Sequence, residues 1–556
     1  MTAIKLNTIC ENFYHWEKNT PDNIFLRQPY GSTWKDYSYK EAGIQIRKMV
    51  AAIKDLNLPE KSNIGMVSKN CAHWIMADLA IAMSGHISVP FYATLVADQL
   101  NQVLVHSQCK LLFIGKLDDF GSMEAGIPAD LKCIAFPAEY AGSPTHKYQD
   151  WDSFVANHEP DKTDFIPKLD DLFTIIYTSG TTGMPKGVMA TFGGFVDALK
   201  STADIVKLNI SNPRFFSYLP LCHIAERNIV EAACIASGGT IFFAETLETF
   251  PKNLAFAQPT HFLAVPRIWS KFQLGILGKM PQKKLDLLLK IPLISSLIKK
   301  KIKTGLGLSK AEVILTGAAP IPNSVVDWFG KLDIRIRNAY GMSENLGAHS
   351  MMPIGNTKNG TVGKPYPGVE TRIDPETGEV QMKASWNTPG YYREPELTAN
   401  LYQDGWLCTG DMGEVDSQGF LKITGRVKDQ FKTAKGEYVV PGALELAFAT
   451  NSNVEQICVA GTGLPQPCAL VVLSEIGKSI DNQELVNSLT ETTQSVNQLV
   501  KNYEHIKTIL VLKEPWSVEN NMLTPTMKIK RNIVEAKFGK LMEDNCEKNE
   551  LVVFEP

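Results

Sequence analysis

The sequence of 556 residues lacks paired cysteines: its ten are scattered singly, with no CxxC and no Cys/His cluster at zinc spacing. That pattern predicts reduced thiols rather than a disulfide framework or a zinc module. An uninterrupted apolar run of about 18 residues is also missing, which argues against a bilayer-spanning helix. Charge of one sign is scarce as well. Lys+Arg number 56 against 59 Asp+Glu, a net charge of -3, so no chain-wide basic field exists and no nucleic-acid partner is expected. The opening residues MTAIKLNTICENFYHWEKN have neither the basic start nor the apolar stretch of a secretory signal, so a cytoplasmic location is expected. Internal repeats and low-complexity tracts are absent too.

Apolar content, by contrast, is ample: 44% hydrophobic against 21% charged residues predicts a folded chain rather than disorder. At about 150 residues per domain, the length suffices for three to four domain equivalents. From Ser38, apolar residues at Ala42, Ile46, Met49, Val50 and Ile53 recur with a helical period, and Ser38 with Glu41 has capping-box spacing. Short β-rich runs at Ile64, Leu111, Leu172, Thr240, Val313 and Ile334 alternate with helical stretches, the pattern of α/β layers with parallel strands. Between Gly363 and Gly425, turn pairs separate shorter runs and predict a small, mostly antiparallel unit. A boundary is expected at GRVKDQ, Gly425–Gln430. The expected architecture is thus α/β: a large N-terminal domain of layered α/β subdomains plus a small β unit over residues 1–425, then a small α+β C-terminal domain over 426–556.

The segment Lys279–Lys303 carries eight lysines and one acid, Asp286, among interleaved leucines and isoleucines. Two readings fit it: contact with an anionic membrane surface, or an amphipathic helix pair docked on the core.

The string YTSGTTGMPKGV, Tyr177–Val188, leaves an apolar strand and combines glycines, hydroxyls and a lysine in a donor-rich loop suited to phosphate oxygens. It is not a P-loop, because Pro185 and Gly187 flank Lys186. Further segments follow in order: YLPLCHIAER at Tyr218, LTGAAP at Leu315, NAYGMSEN at Asn338, GWLCTGDMGEVD at Gly405, GRVKDQFKTAKGEYVVP at Gly425 and LTPTMKIKR at Leu523. Together they resemble the AMP-forming adenylating superfamily of acyl-CoA synthetases, luciferases and adenylation domains.

That resemblance implies an ATP/AMP site formed by Thr178, Ser179, Gly180, Thr181, Thr182, Gly183 and Lys186, by Gly317, Ala318 and Ala319, by Asn338, Ala339, Tyr340, Gly341 and Ser343, and by Asp411 and Arg426. Tyr340 would stack on adenine, Ser343 would contact the α-phosphate, and Asp411 would accept the ribose hydroxyls. Glu344 would hold Mg2+. Lys528 is the implied cation from a mobile C-terminal domain, with Lys530 and Arg531 as neighbours in register, and His223 would guard the reacting carboxylate. Lys428 and Asp429 match the hinge, and Gly436 the loop that later faces coenzyme A.

The form TPTMK at Thr524–Lys528 most resembles long-chain fatty acyl-CoA synthetases, so fatty acid, ATP and coenzyme A are the expected substrates. Alternatives are a ligase for another hydrophobic or aryl acid, a fatty acyl-AMP ligase serving a carrier protein, and an inactive nucleotide-binding homologue. Phe192, Phe195 and Trp269 fit either an acyl tunnel or the core. Oligomeric state is not legible.

Overall fold

The computed structural model describes residues 6–178, 185–518, 520–524, 528–546, 548 and 550–556. A six-stranded sheet runs in the order Lys132–Ala135, Leu111–Ile114, Asn63–Val67, Ile87–Phe91, Leu172–Thr178, Lys186–Thr191, parallel except for its last pair. A nine-stranded sheet has the parallel strands Arg337–Tyr340, Val313–Thr316, His261–Leu263, Arg214–Ser217, Thr240–Phe243 and Ile24–Tyr30 at its centre and antiparallel strands at both edges. Continuous apolar strands such as LFTIIYT suit parallel layers covered on both faces.

The helix Ala72–Met83 is buried at all twelve positions and touches strands of both sheets, so it forms the layer between them. It shares one core with Phe173 of the first sheet and Phe215 and Ile241 of the second. Phe192 and Phe195 belong to that core, and Trp269 to a second one, its indole donating to the Ala264 carbonyl at 3.2 Å. Of the two readings of these aromatics, the structure gives core packing. The helix Tyr39–Asp55 starts at the expected capping box, with the Ser38 hydroxyl and the Glu41 carboxylate bonding reciprocally.

A five-stranded antiparallel unit follows, from Glu370–Ile373 to Leu421–Arg426. The chain then passes through a 3-10 turn, Val427–Asp429, into a small α+β domain. Its four-stranded sheet is covered on both faces, and the alternation of Val471 with Leu470 and Val472 sends side chains to the two cores in turn. None of the ten cysteines is in a disulfide. Among the described residues no helix is long and apolar enough to cross a membrane.

The Lys279–Lys303 segment forms two helices, Gln282–Leu289 and Pro292–Gly305, packed on the N-terminal domain through Leu285, Leu289, Ile298 and Ile302.

Candidate active site

Parallel strands of the nine-stranded sheet end together at Thr316 and Tyr340, with Thr316 registered on Asn338. The crevice beyond the carboxyl ends of such strands is where open α/β sheets take ligands. Gly317 continues the first of these strands, and a Cβ there would stand 2.9 Å from the Ala339 carbonyl oxygen, so only glycine permits this approach. Ala318 follows with a φ of 65°, a left-handed backbone that costs a non-glycine residue about 1 kcal/mol or more. Ala318 and Ala319 are exposed beyond the carboxyl end of this strand. Asn338 donates its amide to the Thr361 carbonyl at 3.1 Å, and Ala339 is half-buried beside it.

Tyr340 anchors one end of the cleft. Its hydroxyl donates to Asp411 Oδ2 at 2.7 Å, while Arg426 Nε pairs with Asp411 Oδ1 at 3.0 Å. The antiparallel register of Asp411 on Arg426 sets this triad. Burial, and then the Asp411 charge, hold the Tyr340 phenol well above its ordinary range. Burial alone would lower the Arg426 guanidinium, but Asp411 and Asp429 outweigh it and raise its pKa.

The loop after Tyr340 turns tightly. A Cβ on Gly341 would collide with the Gly347 backbone at 2.2 Å, and Leu346 takes a left-handed φ of 53°. The turn buries Ser343 and Glu344 in a 3-10 helix, and the Glu344 carbonyl accepts from the Thr388 N–H at 2.8 Å. Glu344 Oε1 accepts from the Tyr391 hydroxyl at 2.8 Å, and the Lys186 ammonium lies over the Tyr391 ring, 4.9 Å from its centroid. Tyr391 thus joins the carboxylate to the lysine. The sequence reading missed it; the signal was the GYYREP turn, which carries no charge until Arg393.

Thr178 and Lys186 face each other across a hairpin, which holds the two ends of the predicted phosphate loop side by side. Ser179, Gly180, Thr181, Thr182 and Gly183 lie outside the described residues. His223 caps a short helix, its Nδ1 accepting from the Ala225 N–H at 3.2 Å, which leaves the neutral ring's proton on Nε2. Burial, and next the Lys528 charge, push its pKa down to about 4, so the ring is neutral at physiological pH. Behind it, burial pushes Glu226 up to about 8, with the Tyr218 N–H on its Oε1 at 2.9 Å.

Lys528 comes from the other domain. Its backbone N–H donates to the Thr524 hydroxyl at 3.0 Å, and its ammonium feels Arg426, Asp411, Glu344 and Asp429 at once. The crowding protein and then the Arg426 charge lower its pKa, while the three carboxylates oppose the shift; the side chain still meets solvent. Its neighbours are committed elsewhere: Lys530 donates to Asn521, and Arg531 pairs with Glu445 at 2.7 Å. Lys428 and Asp429 occupy the interdomain 3-10 turn. Gly436 sits exposed at the tip of the Phe431–Lys432 and Tyr438–Val439 hairpin, at a φ of 83°.

Among the described residues no three His, Cys, Asp or Glu side chains gather as a metal cage. Mg2+ suits a different arrangement, one carboxylate plus substrate phosphates and waters, and the buried, oriented Glu344 fits that mode.

The chain has counterparts among known proteins. The AMP-binding enzyme family matches residues 13–392, and the AMP-binding enzyme C-terminal domain matches 428–550. The chain is 28% identical to a long-chain-fatty-acid–CoA ligase of Mycobacterium bovis over 95% of each chain. It is also 28% identical to long-chain-fatty-acid–CoA ligase 5 of Mus musculus, covering 92% of this chain and 83% of the other. Two solved structures share the fold. One is the A-PCP didomain of carboxylic acid reductase from Segniliparus rugosus with AMP, at a TM-score of 0.80 and 19% identity over 98% of this chain and 82% of that one. The other is an anthranilate CoA ligase with anthranoyl-AMP, at 0.78 and 18% over 97% and 98%. With family matches spanning both domains around this cleft, the chain belongs to the AMP-binding enzymes.

Proposed function

We propose that the protein is a long-chain fatty acid–CoA ligase. A carboxylate oxygen of the fatty acid attacks the α-phosphorus of ATP, the bond to the bridging oxygen breaks, and pyrophosphate leaves. The thiol of coenzyme A then attacks the acyl carbonyl and AMP departs. The observation that supports the first step best is the Lys528 ammonium, brought by the small domain to the same cleft as Asp411, Arg426 and Glu344. Two anions approach one another in that step, and fixed cations lower its barrier.

In this reading Asp411 accepts the ribose hydroxyls, exchanging its Tyr340 bond for them, and Tyr340 offers its ring to adenine beside Gly317, Ala318 and Ala319. Ser343 donates to the α-phosphate. Lys186, with the hydroxyls of Thr178, Ser179, Thr181 and Thr182, holds the departing phosphates. Mg2+ on Glu344 would supply further positive charge there. His223, neutral, presents Nε2–H to the carboxylate without adding a competing charge. Lys428 and Asp429 serve as the pivot that removes Lys528 and brings the Gly436 loop to the thiol. Curated relatives named as long-chain acyl-CoA synthetases across nearly the whole chain favour a fatty acid.

Pyrophosphate exchange screened over acetate, medium- and long-chain fatty acids, benzoate and hydroxy acids, with and without coenzyme A, tests the reading. Exchange is expected to peak with long-chain acids, and coenzyme A should convert adenylate to thioester. A peak with aryl acids, an adenylate that stalls despite coenzyme A, or ATP binding without turnover on any acid would each displace it.

A further inference from the structure

The two helices Gln282–Leu289 and Pro292–Gly305 carry apolar side chains on more than one side. Leu285, Leu289, Ile298 and Ile302 face inward, toward the cluster of Trp328 and Phe329, and Gln282 accepts from the Trp328 indole at 2.8 Å. That contact satisfies what an amphipathic pair needs. Yet Leu287, Leu293 and Leu297 stand out into solvent at 63%, 82% and 69% exposure, with Ile291 at the junction between the helices at 43%. Leu293, Leu297 and Lys301 follow one another at helical spacing of four, with Lys300 beside them, on a different side from Ile298 and Ile302. No residue of Pro292–Gly305 is fully buried.

The charges around these leucines are almost all of one sign. Of the eight lysines between 279 and 303, Lys299 alone is in an ion pair among the described residues, with Asp333 at 3.1 Å. The one acid, Asp286, is occupied by the Gln282 amide at 2.8 Å. Grouped exposed leucines on a monomer surface mark an interaction site rather than ordinary surface. Lysine is depleted from protein–protein interface cores, where burying an ammonium costs desolvation. At a bilayer surface the cost vanishes, because lysine stems lie along the apolar face while their ammonium groups reach lipid phosphates.

We infer that this helix pair docks the protein onto an anionic lipid bilayer, with Leu287, Leu293 and Leu297 entering the headgroup boundary and the surrounding lysines meeting lipid phosphates. The helices lie in the interface plane and do not cross it. The inference does not depend on the acid substrate, since it rests only on exposed leucines and unpaired lysines.

Flotation of the full chain with phosphatidylcholine vesicles, with or without phosphatidylglycerol, tests it. Binding is expected only with the anionic lipid, weakening as salt rises. Lys300→Glu with Lys301→Glu should lower the partition coefficient by more than the fivefold or so that each neutralised lysine costs. Leu293→Ser with Leu297→Ser should lower it by about tenfold or more at unchanged charge. All four side chains are exposed, so thermal unfolding and pyrophosphate release should match the parent and separate loss of docking from loss of fold. No flotation with anionic vesicles at low salt would overturn the inference. So would equal binding to neutral vesicles, or concentration-dependent self-association that the leucine substitutions abolish while no vesicle is bound.

Discussion

At the scale of single residues, Tyr391 is the side chain with the most to test. Its hydroxyl fixes one Glu344 oxygen and its ring carries the Lys186 ammonium, so one phenol orients two groups of opposite charge. Tyr391→Phe keeps the ring and removes the hydroxyl. In pyrophosphate exchange, kcat is expected to fall about tenfold, matching a lost hydrogen bond to a charged group, with the KM for the acid unchanged. Extra Mg2+ should restore part of the rate. Asp411 and Glu344 were visible in the sequence because CTGDMG and NAYGMSEN resemble motifs of the adenylating superfamily; standing alone, the first would read as a surface charge and the second as part of a turn. Tyr391 was not, since its partner is 47 residues away and a tyrosine after a glycine reads as a turn.

Among elements, the parallel strands at Ile64, Leu111, Leu172, Thr240 and Val313 were legible because burial on both faces demands an unbroken apolar run, whereas Arg214–Ser217 and His261–Leu263, with only two apolar residues apiece, were not named. The edge strand Thr33–Ser38, TWKDYS, was hidden by its polar outer side. A buried charge is harder still to read. Arg227 opens the π-helix Arg227–Ala232 with no solvent exposure, bonded to Asp78 at 2.7 Å, near Glu231 at 3.3 Å, and over the rings of Trp74 and Phe173. Sequence alone assigns such an arginine to the surface. Asp78→Ala would strand its guanidinium in the core between the two sheets, and urea unfolding is expected to show a loss of about 3–5 kcal/mol. Asp333→Asn, at an exposed ion pair and a left-handed φ of 57° that asparagine also accepts, should cost less than about 1 kcal/mol.

For the molecule as a whole, the proposed division of labour between domains sets the expected kinetics. Lys528→Ala should slow adenylate formation by about a hundredfold or more, while thioester formation from supplied acyl adenylate changes less than about threefold. Equal losses in both steps would mean that the small domain does not alternate between them. Stability should vary with pH in two limbs. Burial lowers His73 to about 3 and His223, His261 and His349 to about 4, so below about 6.5 the unfolded chain takes up protons that the folded one refuses. Glu226, raised to about 8, acts the other way and favours the fold as pH drops through 8, and Glu231, raised by burial and then the Asp78 charge, acts in the same direction. Five histidines, counting His86, which burial also lowers, against two glutamates leave acid destabilisation ahead below 6.5. Urea midpoints should therefore peak near pH 6.5 and fall on both sides.

Apart from the connecting turn, Arg267 and Glu455 form the ion pair that bridges the two domains among the described residues, and both are partly solvated. A bridge of that kind holds about 1 kcal/mol at most. That pair therefore adds little to the docked pose, and in the proposed two-step reaction whatever fills the cleft casts the deciding vote.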